Sequence, residues 1–217
     1  MDSNFCVISN NCWGAELYIE RGIQYNTPFV GLFIPPIQFV KMVDNLPLYL
    51  KCKLVFIKET KFIEYEKLHA KNKYPIALLG DIEIHFMHYK DEDEASEKWI
   101  RRLSRMPQDS SNWFVKACDG EIINWKEYAS LWNSIQYSKV FFSAKKRIDI
   151  NNLVHIAESF NDYVTDGKAL YKLSKDYFDV DKWIDSKGEL WCVKKISTKR
   201  YLKFLFVKLK YKKGKLW

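Results

Sequence analysis

With 217 residues, 47% hydrophobic and 16% aromatic, the chain can bury one substantial core or two small ones, and its composition is not that of low-complexity disorder. The net charge of +8 is unevenly placed: residues 194–217 carry ten Lys/Arg and no Asp/Glu, which leaves 25 of the 35 basic residues against all 27 acidic ones, a body of net −2. A basic nucleic-acid face on that body is not expected, and neither is a transmembrane helix, because no run approaches about twenty apolar residues.

Five scattered cysteines, odd in number and never in a CxxC, argue against a disulfide framework or structural zinc site and for a reducing cytosol. The first residues lack the basic start and cleavage site of a signal peptide. Phe5 to Ile8 reads as a short buried strand, Ser9 to Gly14 as a polar turn, and Ala15 to Arg21 as a helix closed by Gly22. A loop at residues 24–28 leads into the apolar run Phe29 to Ile34, which Pro35-Pro36 ends. Ile37 to Asn45 is helical by the spacing of Phe39, Val40 and Val43. Strands are expected at Leu54–Ile57, at Phe62–Tyr65 and across 76–86.

The next helix carries its own start and stop signals. Asp91 and Glu94 form a capping box, acidic residues fill the first turn, and Arg101, Arg102 and Arg105 fill the last before Pro107. Trp113–Ala117 and Lys139–Ser143 read as strands around a helix at Trp125–Trp132, and residues 150–163 read as a further helix. Strands alternating with helices predict an α/β fold around a largely parallel sheet, with a basic C-terminal tail. The expected organisation is an α/β core at 1–150, a C-terminal helical extension of the same domain at 151–193, and a basic aromatic tail at 194–217.

Two stretches concentrate chemistry. Across 81–86 strict alternation puts Ile82, Ile84 and Phe86 on one face and Asp81, Glu83 and His85 on the other, with His88 three residues on. Unpartnered carboxylates and imidazoles are costly to bury, so these four are expected to face a cleft as catalytic groups; the competing readings are a solvent-facing edge strand and a buried ion-pair network. There they would serve as a general base or as ligands to a divalent metal, the candidate cofactor. The turn Ser9-Asn10-Asn11-Cys12-Trp13-Gly14 lies between a strand end and a helix start, where α/β folds bind ligands. Asn10 and Asn11 suit sugar hydroxyls, Trp13 suits stacking on a pyranose or base, and the helix N-terminus suits phosphate. Asn26 and Thr27 are candidates for the same crevice.

In the tail, Leu202, Leu205, Phe206 and Leu209 gather on one side of a helical wheel, and Lys199, Arg200, Lys203 and Lys210 on the other. That pattern predicts contact with an anionic inner-membrane surface through Lys199, Arg200, Lys203, Phe206 and Lys210. A terminal strand and an RNA-binding tail are the competing readings.

Taken in order, Ile8 to Gly14, Tyr25 to Leu32, Tyr74-Pro75-Ile76, Asp81 to Phe86 with His88-Tyr89, and Trp99 to Arg102 resemble the bacterial domain-of-unknown-function family nineteen-nineteen. Members are often labelled exopolysaccharide biosynthesis proteins. Ala15 departs from the family pattern, and the basic tail lies outside it. The resemblance implies a part in polysaccharide biosynthesis; taken with the cysteines, the tail and the two chemical stretches, it leads to the expectation of a cytoplasmic protein, peripheral at the inner membrane, that acts on a nucleotide-linked or lipid-linked sugar as a glycosyltransferase or related enzyme. The alternative is a non-catalytic carbohydrate-binding or assembly subunit. No nucleic acid partner is expected.

Overall fold

Alternation along the parallel strands decides the architecture. The computed structural model describes residues 4–120, 122–165, 167–189 and 191–214, with side chains to Leu209 in the last helix. In chain order the elements are β1 (Cys6–Ser9), α1 (Trp13–Arg21), α2 (Pro36–Asp44), α3 (Leu46–Tyr49), β2 (Leu54–Ile57), α4 (Ile63–Asn72), β3 (Ile76–Leu79) and β4 (Ile82–His85). There follow α5 (Glu92–Leu103), β5 (Trp113–Cys118), α6 (Trp125–Ser134), β6 (Ser138–Ser143), β7 (Leu153–His155), α7 (Gly167–Ser174), α8 (Val180–Asp185) and α9 (Thr198–Gly214).

Strands β1, β5, β6 and β7 pair in parallel in that order. Cys6, Ile8, Val115, Ala117 and Phe141 point into one core, shared with α2, α6 and the second sheet. Val7, Phe114, Val140, Phe142 and Val154 point into another, shared with α1, α7 and α8. A parallel sheet is stable only when both faces are covered in this way. Trp13, Trp132 and Trp183 are among the largest fully buried side chains, and each such aromatic dominates its local packing.

The second sheet is antiparallel, in the order β2-β3-β4. The strand expected across 76–86 is therefore a hairpin. Gly80 at φ 66 makes the reversal, a backbone region that glycine enters without steric cost. On its far edge β4 takes the backbone of Phe33, through Phe33 N to His85 O at 2.8 Å and the reciprocal bond at 2.9 Å.

Two other expectations are corrected. Phe62–Tyr65 opens helix α4 instead of forming a strand; α4 buries none of its residues, and charged side chains dominate its outer face. Residues 150–163 hold the short strand β7 and a loop instead of a helix. Asn152 sits at φ 57, a left-handed conformation that interrupts a helix, and β6 offers an open edge to the residues that follow. The cap of α5 is as expected: Asp91 accepts from Glu94 N at 2.9 Å, while Glu94 accepts from Lys90 N at 2.7 Å. Among the described residues no helix is long and apolar enough to cross a membrane.

Candidate functional site

The acidic strand face does not open onto a cleft. Glu83 and His85 are fully buried, 0% exposed, beneath the loop that enters α4. The Glu83 carboxylate accepts from the Thr60 hydroxyl and, at 2.9 Å, from Lys61 N. His85 Nε2 lies 2.8 Å from Glu83 Oε1, and His85 Nδ1 meets the Tyr74 hydroxyl at 3.0 Å. Rings of Phe33 and Tyr65 pack on the imidazole. Burial holds His85 below the ordinary histidine range although Glu83 pulls the other way, and burial pushes Tyr74 up to about 12. This cluster clasps the start of α4 to the small sheet.

Asp81 falls in the hairpin turn and leaves that cluster. It accepts from the Tyr49 hydroxyl at 2.8 Å and pairs with Lys41, whose ammonium holds its carboxyl below the usual range. Among the described residues no three His, Cys, Asp or Glu side chains gather as metal ligands. Of the four residues expected on this face, only the exposed His88 reaches an open pocket.

That pocket, about 760 Å³, lies at the carboxyl ends of the parallel strands. Its floor is made by Asn10, Asn11 and Cys12 after β1, and by Cys118, Asp119 and Gly120 where β5 ends. Glu64, Tyr65 and Leu68 of α4 form one wall, and Tyr163, Val164 and Thr165 form another. Ligand sites of open α/β sheets sit at this end because the loops there splay apart while the strands stay paired.

The turn after β1 divides its residues between fold and pocket. Ser9 is buried, and Gly14 packs so closely on β1 that an added Cβ would lie 3.1 Å from Ser9 Cβ and 3.2 Å from Val7 Cγ1. Trp13 is core: 1% exposed, packed on Phe142 and Tyr171, its Nε1 donating to Ser174 Oγ at 3.0 Å. It has no ring face to offer a sugar. Asn11 Oδ1 accepts from Trp13 N at 3.2 Å and from Lys116 Nζ at 2.9 Å, and its amide donates to Cys118 Sγ at 3.4 Å. Asn10 differs: 4% exposed and on the pocket wall, its Oδ1 has no hydrogen-bond partner among the described residues. A buried acceptor left alone costs about 1–3 kcal/mol.

Asn26 and Thr27 do not line the pocket. Asn26 donates to Phe5 O at 2.6 Å and accepts from Tyr18 Oη at 2.6 Å, and Thr27 is buried with its Oγ1 facing Phe29 N at 3.4 Å. Asn26 ties the loop after α1 to Phe5, just before β1, and Thr27 shapes the loop itself.

Asp119 of the pocket lining, and Lys116 behind its floor, escaped the sequence reading. Lys116 is wholly buried, beside Cys118 Sγ at 3.4 Å, and burial lowers its affinity for a proton. Asp119 accepts from Ser143 Oγ at 2.8 Å, Ala144 N at 2.7 Å and Val164 N at 2.7 Å, with burial raising its carboxyl. It thereby clamps the 163–165 wall to the ends of β5 and β6. The visible signal was a lysine inside the apolar run of β5, followed by Asp119-Gly120. Helix α7 begins against the start of α1: a Cβ on Gly167 would lie 3.0 Å from Cys12 Cβ. Two helix N-termini, each with a partial positive charge, thus meet at the pocket rim beside Lys168.

Residues 1–185 match the model of the family described as Domain of unknown function (DUF1919). A protein of Haemophilus influenzae, described only as uncharacterized, is 33% identical over 191 residues, which cover 82% of this chain and 83% of that protein. The matched region holds both sheets and the whole pocket and stops short of α9. By the extent of both matches, the chain belongs to the DUF1919 family.

Proposed function

We propose that this protein binds a nucleotide-linked or lipid-linked sugar in the pocket at the ends of β1 and β5, and acts on it in surface-polysaccharide biosynthesis on the cytoplasmic side. The observation that carries this reading is the lone Asn10 Oδ1, a buried acceptor on the wall of a cavity of about 760 Å³. A sugar hydroxyl would donate to it and recover the cost of its burial. The volume falls within the range for small-molecule sites. The paired N-termini of α1 and α7, with Lys168, suit the phosphate that such sugars carry.

As a glycosyltransferase the site would use His88 to take the proton from the acceptor hydroxyl. The helix N-termini would stabilise negative charge on the departing phosphate. Glu83, His85 and Asp81 have structural duties in this scheme.

The test is a thermal-shift series against nucleotide sugars, with and without Mg²⁺, and a short-chain lipid diphosphate sugar. A ligand at about 100 times its Kd stabilises by about 2.7 kcal/mol, or roughly 5–10 °C for a chain of this size. The shift is expected with one sugar and is expected to vanish in Asn10→Leu. His88→Ala should keep the shift and lose turnover. Binding without turnover in the parent protein would assign it as a carbohydrate-binding subunit, and no shift with any ligand would sink the reading.

A further inference from the structure

Helix α9 has one face committed to the body and another turned to solvent. Arg200, Phe204 and Lys208, spaced four apart, form the docked face. Arg200 binds Glu158 at 2.5 Å and Asp176 at 2.8 Å, Phe204 packs on Phe160, and Lys208 Nζ donates to Ser159 O at 2.6 Å. At 100° per residue, the opposite side of the helix carries Leu202, Phe206 and Leu209, which are 59%, 60% and 60% exposed. Lys199 and Lys203, both exposed, flank that apolar stripe. Arg200, expected to meet lipid, is held by two carboxylates instead, and the Lys210 side chain lies outside the described residues.

The platform under α9 is also a wall of the pocket. Glu158, Ser159 and Phe160 hold the helix, and Tyr163, Val164 and Thr165 of the same loop line the cavity. We infer that α9 docks on an anionic bilayer surface, with Leu202, Phe206 and Leu209 entering the interface and Lys199 and Lys203 at the headgroups. The pocket wall is thereby held close to the membrane. Residues 194–217 carry ten Lys/Arg and no acidic residue, while the body is close to neutral, so the charge complementarity to an anionic surface lies in this segment. Resting on the pocket reading above, the same geometry selects a lipid-linked sugar over a soluble one.

The probe is co-sedimentation of the full chain with phosphatidylglycerol–phosphatidylcholine vesicles in equal parts, compared with phosphatidylcholine alone. The anionic vesicles should bind the protein and release it as salt rises. Lys199→Gln and Lys203→Gln should each weaken the partition about fivefold. The double variant Leu202→Glu, Leu209→Glu should weaken it at least about tenfold. These side chains are exposed, so circular dichroism and melting temperature should not change. The docking role is overturned by failure to bind, by binding that the variants leave intact, by a homodimer in free solution that the double variant dissolves, or by an RNA ligand that outcompetes the vesicles at the same lysines. Vesicle binding without any sugar-induced shift leaves docking standing and removes the pocket reading; the reverse result does the opposite.

Discussion

Two polar clusters lie on either side of α4, and they differ in one respect. Beneath the helix start, Glu83, His85, Tyr74 and Thr60 form a sealed group in which the carboxylate accepts two hydrogen bonds and lies 2.8 Å from His85 Nε2. Beyond it, at the strand ends, Asn10, Cys118 and Asp119 border a cavity, and Asn10 keeps an acceptor without a partner. The first cluster has the denser chemistry in the sequence, yet it is spent on holding the fold. An open cavity combined with an unsatisfied group marks a ligand site better than the number of ionisable residues does.

The largest effect that would break this contrast is Glu83→Ala. Removing the fully buried carboxylate leaves the Thr60 hydroxyl and Lys61 N–H without their acceptor and a void beside His85, so unfolding free energy should drop by about 3 kcal/mol in urea titration. A functional Glu83 at an open site would instead leave stability nearly untouched. Asn10→Leu should act in the other direction: replacing a lone buried acceptor by an apolar side chain of similar size should stabilise by about 1 kcal/mol while removing ligand binding. Differential scanning fluorimetry reads both parts in one experiment.

A graded test uses pH. Burial keeps His85 below its ordinary value, with Glu83 opposing and His69 adding to the shift, so the folded protein favours the neutral ring. The stability this supplies is complete above the unfolded value near about 6.5 and declines as pH falls through it toward the folded value. His155, lowered chiefly by burial, acts in the same direction. Urea midpoints measured from neutral pH downward should therefore fall across that window. His155→Asn should make the slope shallower and leave the His85 part.

Much of the fold was legible because it depends on local spacing. Short runs of apolar residues announced strands β1, β5 and β6, Asp91 and Glu94 announced α5, and a helical wheel gathered Leu202, Leu205, Phe206 and Leu209 on one side of the tail, where the structure leaves all but Leu205 exposed. Where local signals were short, they misled. Phe62–Tyr65 has the composition of a strand and enters a helix, in which the Tyr65 ring packs back on Phe33 and His85. Leu153–His155 became a strand because β6 had an edge to offer.

The sequence by itself determined the α/β class, the strand β1 with the turn after it that carries Asn10 and Asn11, and the segregation of positive charge into the tail. Each follows from residues within one or two turns of each other. Only tertiary structure decided that Asn11 meets Cys118 across 107 positions of chain and that Glu83 is sealed while His88 is open. It likewise decided that one loop serves both α9 and the pocket. These outcomes depend on which elements pack together, and the energy of that packing comes from apolar surface distributed over two whole cores, with no local motif to announce it.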